Sequence, residues 1–78
     1  MASETQAVDS STDDLAQIGI IAGQVWHFLH MHGPVTLSKL AKGVEAPRDM
    51  VMQGVGWLAR EGKVRFEETP RSKVISLA

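Results

Sequence analysis

Apolar residues recur every three or four positions up to Gly62, and every second position after it. The first rhythm belongs to helices with one buried side and the second to half-buried strands. A chain that changes rhythm once, near its C-terminus, reads as helices first and a strand pair last. Leu15, Ile18, Ala22, Val25 and Leu29 follow at spacings of three, four, three and four, which stacks them on one side of a helix. Ser11-Thr12-Asp13-Asp14 supplies its start, with Ser11 at the cap position and Asp14 three residues on in a capping-box-like arrangement. Its end falls near Met31, where Gly33 can adopt the left-handed conformation and Pro34 cannot continue a helix.

Val35-Thr36 is a short extended piece. Thr36 then caps a brief second helix through Leu37, Leu40 and Ala41, ended by Gly43. Pro47 suits the first turn of a third helix, where its missing N–H is no loss, and Val51, Val55 and Leu58 give that helix its core side before Gly62 ends it. Val64 and Phe66 alternate with Arg65 and Glu67, Thr69-Pro70-Arg71-Ser72 has turn chemistry, and Ile75 and Leu77 flank Ser76, which together predict a β-hairpin. Contacts of Val55 with Leu29 or Phe66 are expected in the core.

A chain of 78 residues holds one small domain and excludes a large enzyme fold. Hydrophobic residues at 44% and charged residues at 22% are globular rather than disordered values. With no cysteine there is no disulfide framework or Cys-based zinc site, so packing must supply nearly all the stability. Residues 1–11 lack apolar periodicity and are rich in Ser, Thr and acids, which predicts a disordered tail ahead of a domain over residues 12–78. No apolar run approaches the ~18 residues of a membrane span, and the polar, acidic N-terminus does not read as a signal peptide, so a cytoplasmic location is expected.

The formal net charge of −1 conceals a division. Residues 1–34 carry Glu4, Asp9, Asp13 and Asp14 with no Lys or Arg, whereas residues 35–78 hold all eight cations against Glu45, Asp49, Glu61, Glu67 and Glu68. The second part is therefore mildly attractive to anions and the first repels them. A dedicated nucleic-acid module usually has a pI above ~9; here it is about 6.3.

The run Gly56-Trp57-Leu58-Ala59-Arg60-Glu61-Gly62-Lys63-Val64, with Ala22-Gly23-Gln24-Val25-Trp26 before it, resembles a small bacterial family of winged helix-turn-helix proteins of unknown function. The resemblance covers roughly residues 14–78 and is specific for fold rather than ligand. It implies a single α+β winged helix-turn-helix domain, three helices followed by a C-terminal β-hairpin wing. The third helix would then be a recognition helix in the major groove of double-stranded DNA, and the Thr69–Lys73 turn a wing near phosphates or the minor groove. With Val51, Val55 and Leu58 facing the core, a rotation of ~100° per residue puts Asp49, Gln53, Gly56 and Arg60 opposite, with Met52 beside them. Gln53 can pair with adenine and Arg60 with guanine or phosphate, while Asp49 opposes the backbone unless it accepts from cytosine. Arg48, Lys39, Lys42, Arg71 and Lys73 are the candidate phosphate contacts.

Other constellations read more plainly. His27 and His30 lie three apart and His32 is close by, but no acid adjoins them, so they read as surface histidines and no metal is expected. Gly19 and Gly23 read as close packing against the hairpin or the third helix. Trp26 and Trp57 could stack on bases, but both adjoin apolar stripes and read as core. Ile20 falls with Gln24, His27 and Met31 on the other side of the first helix; joined by Met52 and Val8 or Met31, it would form a surface for a protein partner or a second copy. No nucleophile arrangement or phosphate-cradling loop is present, because Gly54-x-Gly56 lies within a helical pattern. No catalysis, cofactor or small-molecule substrate is expected.

Overall fold

A computed structural model describes residues 14–78 in full and, over residues 2–13, the course of the backbone alone. The tail expected over residues 1–11 and the Ser11 cap lie outside the fully described residues. The elements run α1 (Ala2–His32), β1 (Val35–Thr36), α2 (Leu37–Gly43), α3 (Arg48–Arg60), β2 (Val64–Glu68) and β3 (Lys73–Leu77). Three helices pack against an antiparallel sheet of order β1-β3-β2, the architecture of a winged helix. No helix among the described residues is long and apolar enough to cross a membrane.

Each boundary has a local cause. Gly33, with φ +75°, takes the conformation that other residues avoid, and its N–H donates to Leu29 O at 2.8 Å as α1 stops. Thr36 has two tasks. It pairs with Val74 as the end of β1, and its Oγ1 accepts from the Lys39 N–H at 3.1 Å to cap α2 as expected. Pro47 stands at the N-cap of α3 rather than in its first turn and makes no side-chain cap, and the Asp49 carboxylate accepts from the Met50 N–H at 3.0 Å. At the other end of α3, Gly62 has φ +71°, its N–H donates to Ala59 O and the Lys63 N–H donates to Leu58 O, a Schellman closure that starts β2.

The core is Ile21, Ala22, Val25, Leu29, Val35, Leu40, Val44, Val51, Val55, Leu58, Val64 and Ile75. Val55 and Leu29 both belong to it. Phe66 does not: it pairs across the sheet with Ile75, which is fully buried, but stands on the outer strand and remains 44% exposed. The sheet gains a third strand because Val35 pairs with Ile75, so Val35, Ile75 and Phe66 form one row whose burial fades outward. Leu15 is also exposed, because α1 is half-buried first at Ile18 and fully buried only from Ile21 onward.

Two glycines other than the expected pair mark the tightest approaches. A Cβ on Gly54 would meet Ile21 Cγ2 at 3.0 Å and the Ala22 N at 3.1 Å, so α3 crosses α1 at that point with backbone nearly against backbone. A Cβ on Gly43 would overlap the Phe28 ring. Gly19 and Gly23 were the positions expected to pack closely, yet nothing lies within 4 Å of where their Cβ atoms would be.

Candidate nucleic-acid interface

The exposed side of α3 is set by what the helix buries. Val51, Gly54, Val55 and Leu58 turn inward, and Asp49, Gln53, Gly56 and Arg60 emerge on the opposite side, all exposed. Met52 and Ala59 are half-buried flanks packed against the core. The outward surface is thus short of chemistry. It offers one amide, one guanidinium and, at its middle, a glycine with open space over it. Asp49 is engaged with the helix N-terminus, where its charge suits the dipole.

The candidate phosphate contacts lie on three elements. Arg48 begins α3, Lys39 and Lys42 are exposed on α2, and Arg71 and Lys73 lie at the hairpin tip. The five residues of β2 span about 17 Å, at ~3.3 Å per residue, between the turn after α3 and that tip. The tip itself is fastened by one hydroxyl. Thr69 Oγ1 donates to Ser72 O at 2.9 Å and accepts from the Ser72 N–H at 3.0 Å, while the Thr69 N–H donates to Ser72 O at 2.8 Å. Lys73 is less available than its sequence position suggests. Its Nζ lies 3.6 Å from Glu68, its cross-strand partner, and 5.8 Å from the Phe66 ring centroid. Exposed pairs of this kind contribute little, about 0–1 kcal/mol, so an incoming phosphate could replace Glu68. Lys63 pairs with Glu61, and among the described residues Arg48, Arg60, Arg71, Lys39 and Lys42 have no such partner.

Both tryptophans depart from the expected burial. Trp26 is 40% exposed and Trp57 39%, and they stand as walls of one groove of about 290 Å3, floored by Gly19, Ala22 and Gly23 and edged by Glu61 and Lys63. Rotation explains Trp57: it lies on the α1 side of α3, beyond the crossing at Gly54. A second, broader groove of about 690 Å3 runs beside the expected Ile20, Gln24, His27 and Met31 surface, closed on its far side by Gly43, Val44 and Glu45. Met52 is not part of it, and Val8 lies outside the fully described residues. The histidines are exposed and two stack one turn on from an aromatic ring, His30 on Trp26 at 5.1 Å and His32 on Phe28 at 4.2 Å. Among the described residues no three His, Asp or Glu side chains converge as a metal site would require.

Comparison with known proteins agrees with this architecture. The winged helix-turn-helix domain pattern DUF2582 matches residues 13–77. The solution structure of BT2368 from Bacteroides thetaiotaomicron is 34% identical, with a TM-score of 0.74 over 82% of this chain and 78% of that one. At 18% identity, the Zalpha domain of Carassius auratus PKZ, solved in complex with Z-DNA, has a TM-score of 0.69 over 78% of this chain and 97% of its own. The transcriptional regulator HlyU of Vibrio vulnificus, 15% identical, has a TM-score of 0.66 over 97% of this chain and 80% of its own. These last two likenesses speak to the fold. No curated protein matches the sequence. With the pattern spanning nearly the whole chain, the protein belongs to the winged helix-turn-helix domain family DUF2582, a family of unknown function.

Proposed function

We propose that this protein is a non-enzymatic, cytoplasmic module that binds double-stranded DNA, with α3 in the major groove and the β2–β3 hairpin beside the phosphates. The observation that carries this reading is the exposed side of α3, where Gln53 and Arg60 project opposite the buried Val51, Val55 and Leu58. Two solved structures of the same fold add support, because one was captured with Z-DNA and another is described as a transcriptional regulator. Arg48, Lys39, Lys42, Arg71 and Lys73 hold the backbone, Arg60 contacts guanine or phosphate, and Gln53 contacts adenine. With two base-reading side chains and Gly56 between them, affinity comes mainly from phosphates.

That balance has a measurable consequence. Five phosphate contacts imply a loss of roughly two to three orders of magnitude in affinity between ~50 and ~200 mM salt. Fluorescence anisotropy of a labelled mixed-sequence duplex reads it directly. Arg60→Ala should weaken binding by about 1–3 kcal/mol. Unchanged binding in that variant would remove α3 from the interface, and no binding at the lower salt would refute the reading as a whole.

A further inference from the structure

Leu15, Gly19, Gly23, Trp26 and His30 follow one another on α1 at spacings of four, four, three and four, which places them on a single flank of the helix. That flank is exposed throughout, with Leu15 at 57% and Trp26 at 40%. Trp57 of α3, 39% exposed, stands along the same groove. Two tryptophans and a leucine are thus left open, with no cover among the described residues, on a chain of 78 residues.

The occupant is indicated by shape and by charge. The Trp26 ring, stacked on His30, leaves 40% of its surface open, and seven residues away on the same flank Gly19 leaves open space, with nothing within 4 Å of its would-be Cβ. In a two-fold interface residue i meets residue j of the partner and j meets i, so a projection and a hollow two turns apart complement their own copies. Antiparallel pairing about an axis between Ala22 and Gly23 sets each Trp26 over the other copy's Gly19 and each Leu15 beside the other copy's His30. Charge selects that direction. Residues 1–34 carry Glu4, Asp9, Asp13 and Asp14 at one end and His27, His30 and His32 at the other, with no Lys or Arg between. Parallel helices would set Asp14 against the partner's Asp14, whereas antiparallel ones bring Asp14 to the partner's histidine end and oppose the two helix dipoles.

We infer that the Trp26–Trp57 groove receives α1 of a second copy of this chain, in an antiparallel dimer with each Trp26 filling the hollow over the partner's Gly19. This surface is separate from the outward side of α3, and its test involves no DNA. Sedimentation equilibrium of the full chain from micromolar to millimolar concentration should show a mass rising from 8.5 kDa toward twice that value. Gly19→Leu fills the hollow while improving helix propensity, so it should stay monomeric over the same range with circular dichroism and melting temperature undiminished. Trp26→Ala should raise the dimer dissociation constant roughly tenfold or more, as loss of a central aromatic anchor does. A wild-type chain that remains at 8.5 kDa throughout, or a Gly19→Leu chain that dimerises as well as wild type, would overturn the inference.

Discussion

Gly54 and Gly56 stand two residues apart in one helix and face opposite constraints. Gly54 lies where α3 crosses α1, and an added methyl would press on the Ala22 backbone at 3.1–3.3 Å. Gly56 looks outward into open space. Gly54→Ala should therefore destabilise the fold by about 1–3 kcal/mol through overpacking. Gly56→Ala should stabilise it by about 0.5–1 kcal/mol, because alanine loses less backbone freedom in a helix. Urea unfolding of the two variants checks both signs, and a neutral Gly54→Ala would mean that the crossing is looser than described. This distinction is invisible in sequence. A glycine inside a helical pattern reports that a side chain is absent, not whether a neighbouring group occupies its place, which is why Gly19 and Gly23 read as close packing while the sequence carries no sign of the close approaches at Gly54 and Gly43. The tryptophans misled for a related reason: adjacency to an apolar stripe leaves the burial of a large ring to the position of the next element.

At the level of elements, the start and stop signals are the most legible part of the chain. Gly33, Thr36, Gly43 and Gly62 each mark a boundary within about a residue of the observed one, because caps and left-handed turns depend on local chemistry that no distant contact can replace. Removing one should have a bounded effect. Thr36→Ala should cost about 1 kcal/mol by freeing the Lys39 N–H, measurable by thermal or urea unfolding. The hairpin was legible as a hairpin, whereas its pairing with Val35 was not, since two residues carry no period and the pairing is made across the chain by Ile75. At the tip, Thr69→Ala removes the hydroxyl that binds both Ser72 O and the Ser72 N–H. Faster amide exchange at Ser72 with little change in global stability is expected, because the tip is exposed and makes no contribution to the core. Unchanged exchange there would show that the backbone alone holds the turn.

For the whole molecule, the charge division is one along the sequence, with every Lys and Arg after residue 34. The candidate DNA contacts all belong to residues 39–73, and the acidic stretch is confined to α1. The outward side of α3 was legible because one periodicity defines both its buried and its exposed residues. What that side binds was not legible, since Gln53 and Arg60 in an exposed helix are compatible with many partners and fold does not fix function. In the proposed complex α3 and the hairpin meet phosphates as one surface. Amide-shift mapping of isotopically labelled protein with a mixed-sequence duplex, at ~50 and ~200 mM salt, tests it residue by residue. Shifts at Arg48, Gln53, Arg60 and Arg71–Lys73 that fade together at the higher salt are the expected result. Shifts along α1 that ignore salt, or none at either concentration, would contradict it.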